Sequence, residues 1–404
     1  MKKIKNSIIL IIYTMIIGIL SGLIIWSFLK VMNVGIDFLW FYLPNKINVK
    51  YYTIIICLIG GIIIGLWKWK FGESPEELEE VIKKVKKNKR YSYNNIFSSI
   101  GSALFPLLIG SSVGPEAGLT GIIASLCTWV GDKLKHMFKE IQELTSIGIT
   151  ATLGTIFKSP MFGFIEPLEG EEETKLPKTS KIILYFTAIL SSFGIFMLLN
   201  RLVGQEMGMP TVGIASFKEL NFFHIIILTI IGIMLGYIYF ISHKITKVVF
   251  KPLENNILIK CIIGGLILGL IGTILPLTMF SGEEQIITIV ETGRNIGILV
   301  LILTSIIKVL LTNICIESGL KGGHFFPMIF SGISLGYAMS IILNMDPVIS
   351  MAIVTSSFLA NIMKKPLAVV LLLMIVFPSN LIPIMLTTSI IACLFKTPKI
   401  LENK

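Results

Sequence analysis

The sequence predicts an all-α polytopic membrane protein in which some helices are tilted, re-entrant or broken. Hydrophobic residues make up 54% of the 404 residues and charged residues only 15%, whereas soluble domains carry about 25% charged residues. The long apolar runs do not alternate apolar with polar side chains, as the strands of a transmembrane barrel do. Two Gly-rich segments interrupt these runs, and broken helices are tolerated at membrane depth only where they are buried in protein or line a cavity.

The apolar runs are long enough for about 20-residue membrane spans. The first, residues 8–41, is longer than a vertical span needs, so we expect it to be tilted. Pro44 to Lys50 is expected to be an outside loop. Further helices are expected at 51–69, 97–109, 119–130, 141–156, 182–202, 222–250, 258–275, 281–290, 296–315, 329–343, 347–363, 366–377 and 381–395. Together they predict a single transmembrane domain over residues 1–404, with no appended soluble domain.

The net charge of +11 is best explained by membrane orientation rather than by nucleic-acid binding. Lys and Arg residues collect on cytoplasmic loops, and here they cluster at residues 2–5, 83–90, 133–139 and 396–399. We place these four segments on the inside of a cell membrane, with the N-terminus cytoplasmic. Residues 71–80 between two of them are expected to open an acidic helix, with Ser74 as its N-cap and Pro75 at its first position.

Neither the cysteines nor the histidines indicate a metal site or a catalytic site. The five cysteines are isolated in apolar runs without metal-ligand spacing, so we predict no metal and no cofactor. An intramembrane enzyme would need a nucleophile and a base at depth. The four histidines pair with no plausible Ser or Cys motif, so we predict no catalytic residue and no enzyme.

The two Gly-rich breaks resemble each other. One is Gly110-Ser-Ser-Val-Gly-Pro-Glu-Ala-Gly118 and the other is Ile316-Glu-Ser-Gly-Leu-Lys-Gly-Gly-His-Phe-Phe-Pro-Met328. Each precedes an apolar helix rich in small residues, and their prolines are about half the chain apart. Matching breaks in two halves point to an inverted-repeat transporter with its site at the midplane. We assign residues 1–204 to the first repeat and 215–404 to the second. The helix restarts would direct backbone N–H groups and positive dipole ends at an anion.

The breaks also resemble signatures of the CLC family of chloride channels and H⁺/Cl⁻ antiporters. Lys321-Gly-Gly-His-Phe-Phe-Pro327 resembles the family's Gly-x-Phe-x-Pro signature, and Gly110 to Pro115 resembles its Gly-(Lys/Arg)-Glu-Gly-Pro signature. Phe71 to Pro75 occupies the place of the family's Gly-Ser-Gly-Ile-Pro, and Phe157 to Pro160 resembles its Phe-Asn-(Ala/Ser)-Pro segment. The resemblance implies a CLC-like inverted repeat and a homodimer in which each subunit has its own chloride pore.

The resemblance also implies which residues would form the site. The backbone N–H groups of His324 and Phe325 would face a central anion, and Phe325 would take the family's aromatic position. The family's serine ligand aligns near Gly72, so Ser74 could replace it only with a shift of register. The expected anion-binding residues are Gly72, Ser74, Ser112, Val113, Gly114, Gly323, His324, Phe325 and Phe326. The expected pore scaffold consists of Gly110, Pro115, Gly322 and Pro327.

This chain departs from the family pattern at the position that would couple protons. The family's gating glutamate directly precedes the Gly-Pro pair, where this chain has Val113. Glu116 is the nearest carboxylate, and helix capping is its default role. The antiporters' inner proton glutamate aligns near Glu169 or Gly170, and the tyrosine of the last helix has no counterpart near Ile400. The sequence therefore predicts a divergent, bacterial-type member that conducts anions passively. Two alternatives stay open: a proton-coupled antiporter using Glu116 or Glu169, and a transporter of another substrate.

Overall fold

The computed structural model describes residues 2–47, 49–72, 75–76, 78–88, 91, 96–133, 141–166, 169, 179–204, 209–217 and 221–396. Helices account for most of these residues. In chain order they are α1 (Lys2–Asp37), which continues as a π-helix (Phe38–Tyr42), α2 (Leu43–Ile47), α3 (Tyr52–Phe71), α4 (Leu78–Asn88), α5 (Ile96–Leu108), α6 (Glu116–Lys133), α7 (Ile141–Ile156), α8 (Pro160–Ile165), α9 (Thr179–Val203), α10 (Phe222–Phe250), α11 (Ile257–Ile274), α12 (Glu283–Ile296), α13 (Ile298–Glu317), α14 (Phe325–Leu343), α15 (Pro347–Met363), α16 (Pro366–Leu373) and α17 (Ile382–Leu394).

The predicted all-α membrane fold is confirmed. Among the described residues, seven helical segments are long and apolar enough to cross a membrane. They are Ile9–Ile47, Tyr52–Phe71, Ile182–Val203, Phe222–Leu253, Ile257–Ile274, Ile298–Glu317 and Phe325–Leu343. Shorter apolar helices lie between them, among them Ile96–Leu108 and Glu116–Val130. This mixture of full spans and short helices is what the broken hydropathy pattern predicts.

The helix bounds correct the sequence-based expectation at several places. Residues 44–47, expected in an outside loop, belong to the helix α2 (Leu43–Ile47). The segment after α7, for which no helix was predicted, contains the short helix α8. Its N-cap Ser159 accepts a hydrogen bond from the Phe162 N–H at 3.4 Å. Helix α12 extends to Ile296, and α14 begins at Phe325 instead of Ile329. Ser74, the predicted N-cap of the acidic helix, lies outside the described residues.

The helices form two compact units that interleave along the sequence. The first unit contains residues 1–37, 74–104 and 115–208, and the second contains 38–73, 105–114 and 209–404. These units are defined by packing, and they differ from the predicted repeats 1–204 and 215–404. The boundary between the repeats therefore stays a prediction.

In the first unit, α1 and α9 pack through small residues. A Cβ on Gly18 would lie 2.4 Å from the backbone oxygen of Ala188, and one on Gly22 would lie 2.4 Å from that of Ser192. Small residues of this kind let membrane helices approach closely. A core of Ile147, Ala151, Leu184 and Ala188 joins α7 to α9.

In the second unit, α3 and α11 pack in the same way. A Cβ on Gly265 would lie 2.4 Å from the carbonyl oxygen of Cys57. Helices α14 and α15 also pack closely, and the Ser350 hydroxyl donates to the Gly336 carbonyl at 2.7 Å. Nearly every described residue of α14 is buried, so its first turn lies in the interior of this unit.

Candidate functional site

The two Gly-rich breaks meet in the second unit. The Gly114 N–H donates to the Gly323 carbonyl at 2.7 Å, and the Gly323 N–H donates to the Gly114 carbonyl at 2.7 Å. This reciprocal pair is an isolated antiparallel bridge between segments about 200 residues apart. The structure therefore brings together Gly114 and Gly323, two of the residues that the sequence singles out independently.

Val113 lies against the second break with its side chain fully buried. A Cβ added to Gly322 would lie 2.5 Å from Val113 Cγ2 and 2.9 Å from the Gly114 carbonyl oxygen. A side chain at position 322 would therefore collide with the Val113 side chain and with the Gly114 backbone, and glycine avoids both contacts. An apolar isopropyl group occupies the position where the family pattern has a carboxylate.

The first break begins at Gly110, directly after α5. Its φ of +76° is a left-handed conformation that glycine adopts without steric cost. The Gly110 N–H donates to the Leu107 carbonyl at 3.1 Å, and the Ser111 N–H donates to the Pro106 carbonyl at 3.0 Å. The carbonyl of Gly110 accepts from the Phe280 N–H at 2.9 Å. Gly110 thus ends the helix and fixes the break to the segment after α11.

The second break restarts the chain as α14. His324 occupies the N-cap position, and Phe325, Phe326 and Pro327 form the first turn. The side chains of His324, Phe325 and Phe326 are all buried. Because the first N–H groups of a helix lack intrahelical acceptors and carry the positive end of its dipole, this turn is suited to an anion.

An aromatic cluster surrounds the start of α14. The ring centroids of His324 and Phe325 lie 4.6 Å apart, and Tyr239 of α10 lies 5.8 Å from His324. His243 stacks on Tyr239 at 6.4 Å. Tyr239 is not recognisable from the sequence, because nothing in the pattern around it distinguishes it from a lipid-facing aromatic residue.

Ser112 faces α13. Its hydroxyl lies 3.1 Å from Thr312 Oγ1, and Thr312 Oγ1 donates to the Lys308 carbonyl at 2.9 Å. A threonine hydroxyl has one proton, so Ser112 must be the donor in the bond between the two hydroxyls. The Ser112 hydroxyl is therefore committed to α13, and the Ser112 backbone forms a hydrogen bond with the Cys315 thiol of the same helix. The anion-binding role of Ser112 stays a prediction.

Gly72 does not belong to this buried cluster. It is exposed at the end of α3 with φ +91°, and its N–H donates to the Lys68 carbonyl at 2.8 Å. A Cβ added there would meet no heavy atom within 4 Å. Ser74, the other candidate from this segment, is outside the described residues.

The first unit contains the candidate proton-carrying groups. Pro115 directly precedes α6, and Glu116 occupies the first position of that helix with its side chain fully buried. Glu169 is half-buried after α8. Glu166, at the C-cap of α8, is 3% exposed, whereas the sequence-based prediction named Glu169. Glu166 follows Phe162 by one helical turn in a short apolar segment. This position is the sequence signal that could have identified Glu166.

The described residues contain no group of three or more His, Cys, Asp and Glu side chains that could hold a metal ion. The second unit contains a buried backbone turn where the two broken segments meet. The backbone N–H groups in the first turn of a helix can replace part of the water around a small anion.

Comparison with known proteins supports this interpretation. A model of the voltage gated chloride channel family matches residues 56–397. The chain belongs to this family. It is also 25% identical over 338 residues to the protein named "Putative ion-transport protein YfeO" of Salmonella newport (strain SL254), a match that covers 80% of this chain and 78% of the relative.

Solved structures of the family share the fold. A CLC-type fluoride/proton antiporter superposes with a TM-score of 0.78 at 20% identity, covering 95% of this chain and 94% of the other. A slow cyanobacterial Cl⁻/H⁺ antiporter gives a TM-score of 0.77 at 18% identity, covering 95% and 93%. A eukaryotic CLC transporter gives 0.69 at 14% identity, covering 95% of this chain and 71% of that one. At these identities the structural likeness establishes the fold.

Proposed function

We propose that this chain transports chloride or another small anion across the membrane, passively and without proton coupling. The observation that carries the proposal is Val113. It is fully buried beside the Gly114–Gly323 bridge, where the family pattern has its gating glutamate. A valine cannot accept or release a proton, and it cannot occupy an anion site as a carboxylate can.

The anion is proposed to bind at the first turn of α14, near the backbone N–H groups of His324, Phe325 and Phe326. Gly110, Pro115, Gly322 and Pro327 are proposed to hold the broken segments in place. Family membership and the burial of this turn support an anion over a cation, because the positive ends of helices stabilise negative charge.

Proteoliposomes loaded with chloride test the proposal. We expect the wild-type protein to release chloride down its gradient while an internal pH dye stays constant after the potential is clamped. Stoichiometric proton movement against its own gradient, driven by chloride, would contradict the uncoupled mechanism. Liposomes without protein provide the baseline.

A proton-coupled antiporter is the second candidate, and the complete burial of Glu116 favours it. Two solved relatives are described as proton antiporters, one for fluoride and one for chloride. If Glu116 carries protons, Glu116→Gln should abolish proton movement and spare anion flux. If Glu169 carries them, Glu169→Gln should have the same effect. Competition of fluoride and nitrate with chloride distinguishes the substrates.

The chain is further proposed to be a homodimer with one pore per subunit, oriented with its N-terminus in the cytoplasm. Family membership supports the dimer, and the Lys and Arg clusters support the orientation. Light scattering of the detergent-solubilised protein, corrected for bound detergent, should give twice the 44.8 kDa mass of the chain.

A further inference from the structure

Lys308 is a lysine in the interior of a membrane span. It lies within α13, a helix apolar enough to cross the bilayer, and its side chain is fully buried. Ionisable residues inside membrane segments are costly and usually mark a functional path. The proposed anion site described above does not include this residue.

The contacts of Lys308 match the donors of an ammonium group. Its Nζ donates to the carbonyl oxygens of Thr278, Met279 and Phe280 at 3.2, 3.0 and 2.9 Å. It also lies 4.7 Å from the ring centroid of Phe330, a cation–π arrangement. Three acceptors need three N–H donors, which the ammonium has and a neutral amine lacks. The three acceptors suit the ammonium form, and no carboxylate within the described residues forms a salt bridge with Lys308.

The ammonium is linked to the first break through one peptide group. The carbonyl of Met279 accepts from Lys308, and the N–H on the other side of the same peptide bond, that of Phe280, donates to the Gly110 carbonyl at 2.9 Å. Hydrogen bonds to charged donors are stronger than neutral ones, and bonds in series polarise one another. The charge of Lys308 therefore strengthens the bond that fixes Gly110.

A second link leads from the backbone of Lys308 to the same break. The Lys308 carbonyl accepts from Thr312 Oγ1 at 2.9 Å, and Thr312 Oγ1 lies 3.1 Å from the Ser112 hydroxyl. The turn of α13 between Lys308 and Thr312 thus contacts the break at Ser112, while the ammonium acts at Gly110. Both points lie within three residues of Val113.

We propose that Lys308 is a positioning residue for anion transport, which fixes the break 110–114 at Gly110 and Ser112 and adds an uncompensated positive charge to the interior of the second unit. This inference rests on the proposed anion transport. The charge stabilises an anion at the start of α14 because the surroundings are buried and screen little.

The test measures chloride flux in proteoliposomes against chloride concentration, and separates KM from the maximum rate. Lys308→Met and Lys308→Gln remove the charge, Lys308→Arg keeps it, and Lys260→Met removes another buried lysine of the same unit. We expect both neutral variants to raise KM for chloride about tenfold. Lys308→Arg should stay within about threefold of wild type, and Lys260→Met should leave KM unchanged. A purely structural role would lower the maximum rate and the unfolding temperature without this change in KM.

Several outcomes would overturn the proposal. A folded neutral variant with KM within about twofold of wild type would do so, and so would an arginine variant with the defect of the methionine variant. If neither neutral variant folds, Thr312→Val provides the test, because it removes the hydrogen bond to Ser112 with little change in side-chain shape. An unchanged KM for chloride in Thr312→Val overturns the proposal. Absence of anion flux in the wild-type protein would instead contradict the proposed function itself.

Discussion

The fit between Val113 and Gly322 shows how single residues define the candidate site. The reciprocal hydrogen bonds between Gly114 and Gly323 hold the two backbones together, and the valine side chain fills the space where a Cβ on Gly322 would lie. Neither residue is informative alone, since valine and glycine are common in membrane helices. Their role in the candidate site follows from the contact between two segments that are distant in sequence.

The first prediction concerns Gly322→Ala. The new methyl group would lie 2.5 Å from Val113 Cγ2 and 2.9 Å from the Gly114 carbonyl oxygen. The Val113 side chain and the Gly114 peptide must therefore move away, and we expect the bridge to weaken. Overpacking of this kind costs about 1–3 kcal/mol. We expect a lower unfolding temperature in detergent and a loss of anion flux. Gly194→Ala in α9 is the matched control, because no heavy atom lies within 4 Å of the added Cβ. Equal stability of the two variants would contradict the prediction.

The sequence revealed part of this site. It identified both breaks and the replacement of the family glutamate by Val113, whereas the start of α14 as an anion-binding turn stays a prediction. It did not identify Lys308, although a single lysine inside the apolar run 296–315 was a visible signal. It could not identify Tyr239 or Thr312, because their roles depend on distances between helices that no local pattern encodes.

Asp346 shows how one side chain organises elements. As N-cap of α15, its Oδ1 accepts from the Ile349 N–H at 3.1 Å, and its Oδ2 accepts from the Ser216 N–H at 3.0 Å. The same carboxylate therefore caps a buried helix and fastens the segment 209–217, which connects α9 to α10. This contact joins parts of the second unit that are 130 residues apart.

The second prediction follows from this cap. Asp346→Ala leaves two N–H donors without their acceptor, and the loss of an N-cap alone costs about 0.5–2 kcal/mol. We expect a lower unfolding temperature in detergent and faster proteolysis within residues 209–217. Asp346→Asn keeps one oxygen acceptor and should recover most of the stability. The interpretation fails if the alanine variant is as stable as wild type.

For the helices, the sequence predicted which segments are helical more accurately than it predicted where each helix begins and ends. Helices α7, α10 and α15 begin and end at the predicted residues, because proline, asparagine or a charged loop marks their ends. Helix α14 begins four residues earlier than predicted, because aromatic residues next to glycines suggested an irregular segment. Phe325 and Phe326 are helical here because burial in the second unit outweighs their modest helix propensity.

For the whole molecule, composition and unbroken apolar runs were sufficient to predict a helical membrane protein, and the order of the breaks was sufficient to suggest the family. Packing was not predictable in the same way. The two compact units combine segments from distant parts of the chain, and residues 105–114 belong with 209–404. The segment that looks like the centre of the first half therefore packs with the second half.

The third prediction concerns membrane orientation, which charge alone suggests. Lysines on the inner side are favoured by the positive-inside rule, so the loop after α4 should be cytoplasmic and the end of the first span, near Lys46, should be outside. Lys46 and Lys87 are both exposed. We expect Lys46→Cys to react with a membrane-impermeant maleimide in intact cells, and Lys87→Cys to react only after permeabilisation. The background should be Cys393→Ser, because Cys393 is only half-buried whereas the other four cysteines are buried. The reverse labelling pattern would mean that the basic segments face outward, and that the clusters of lysine serve a purpose other than orientation.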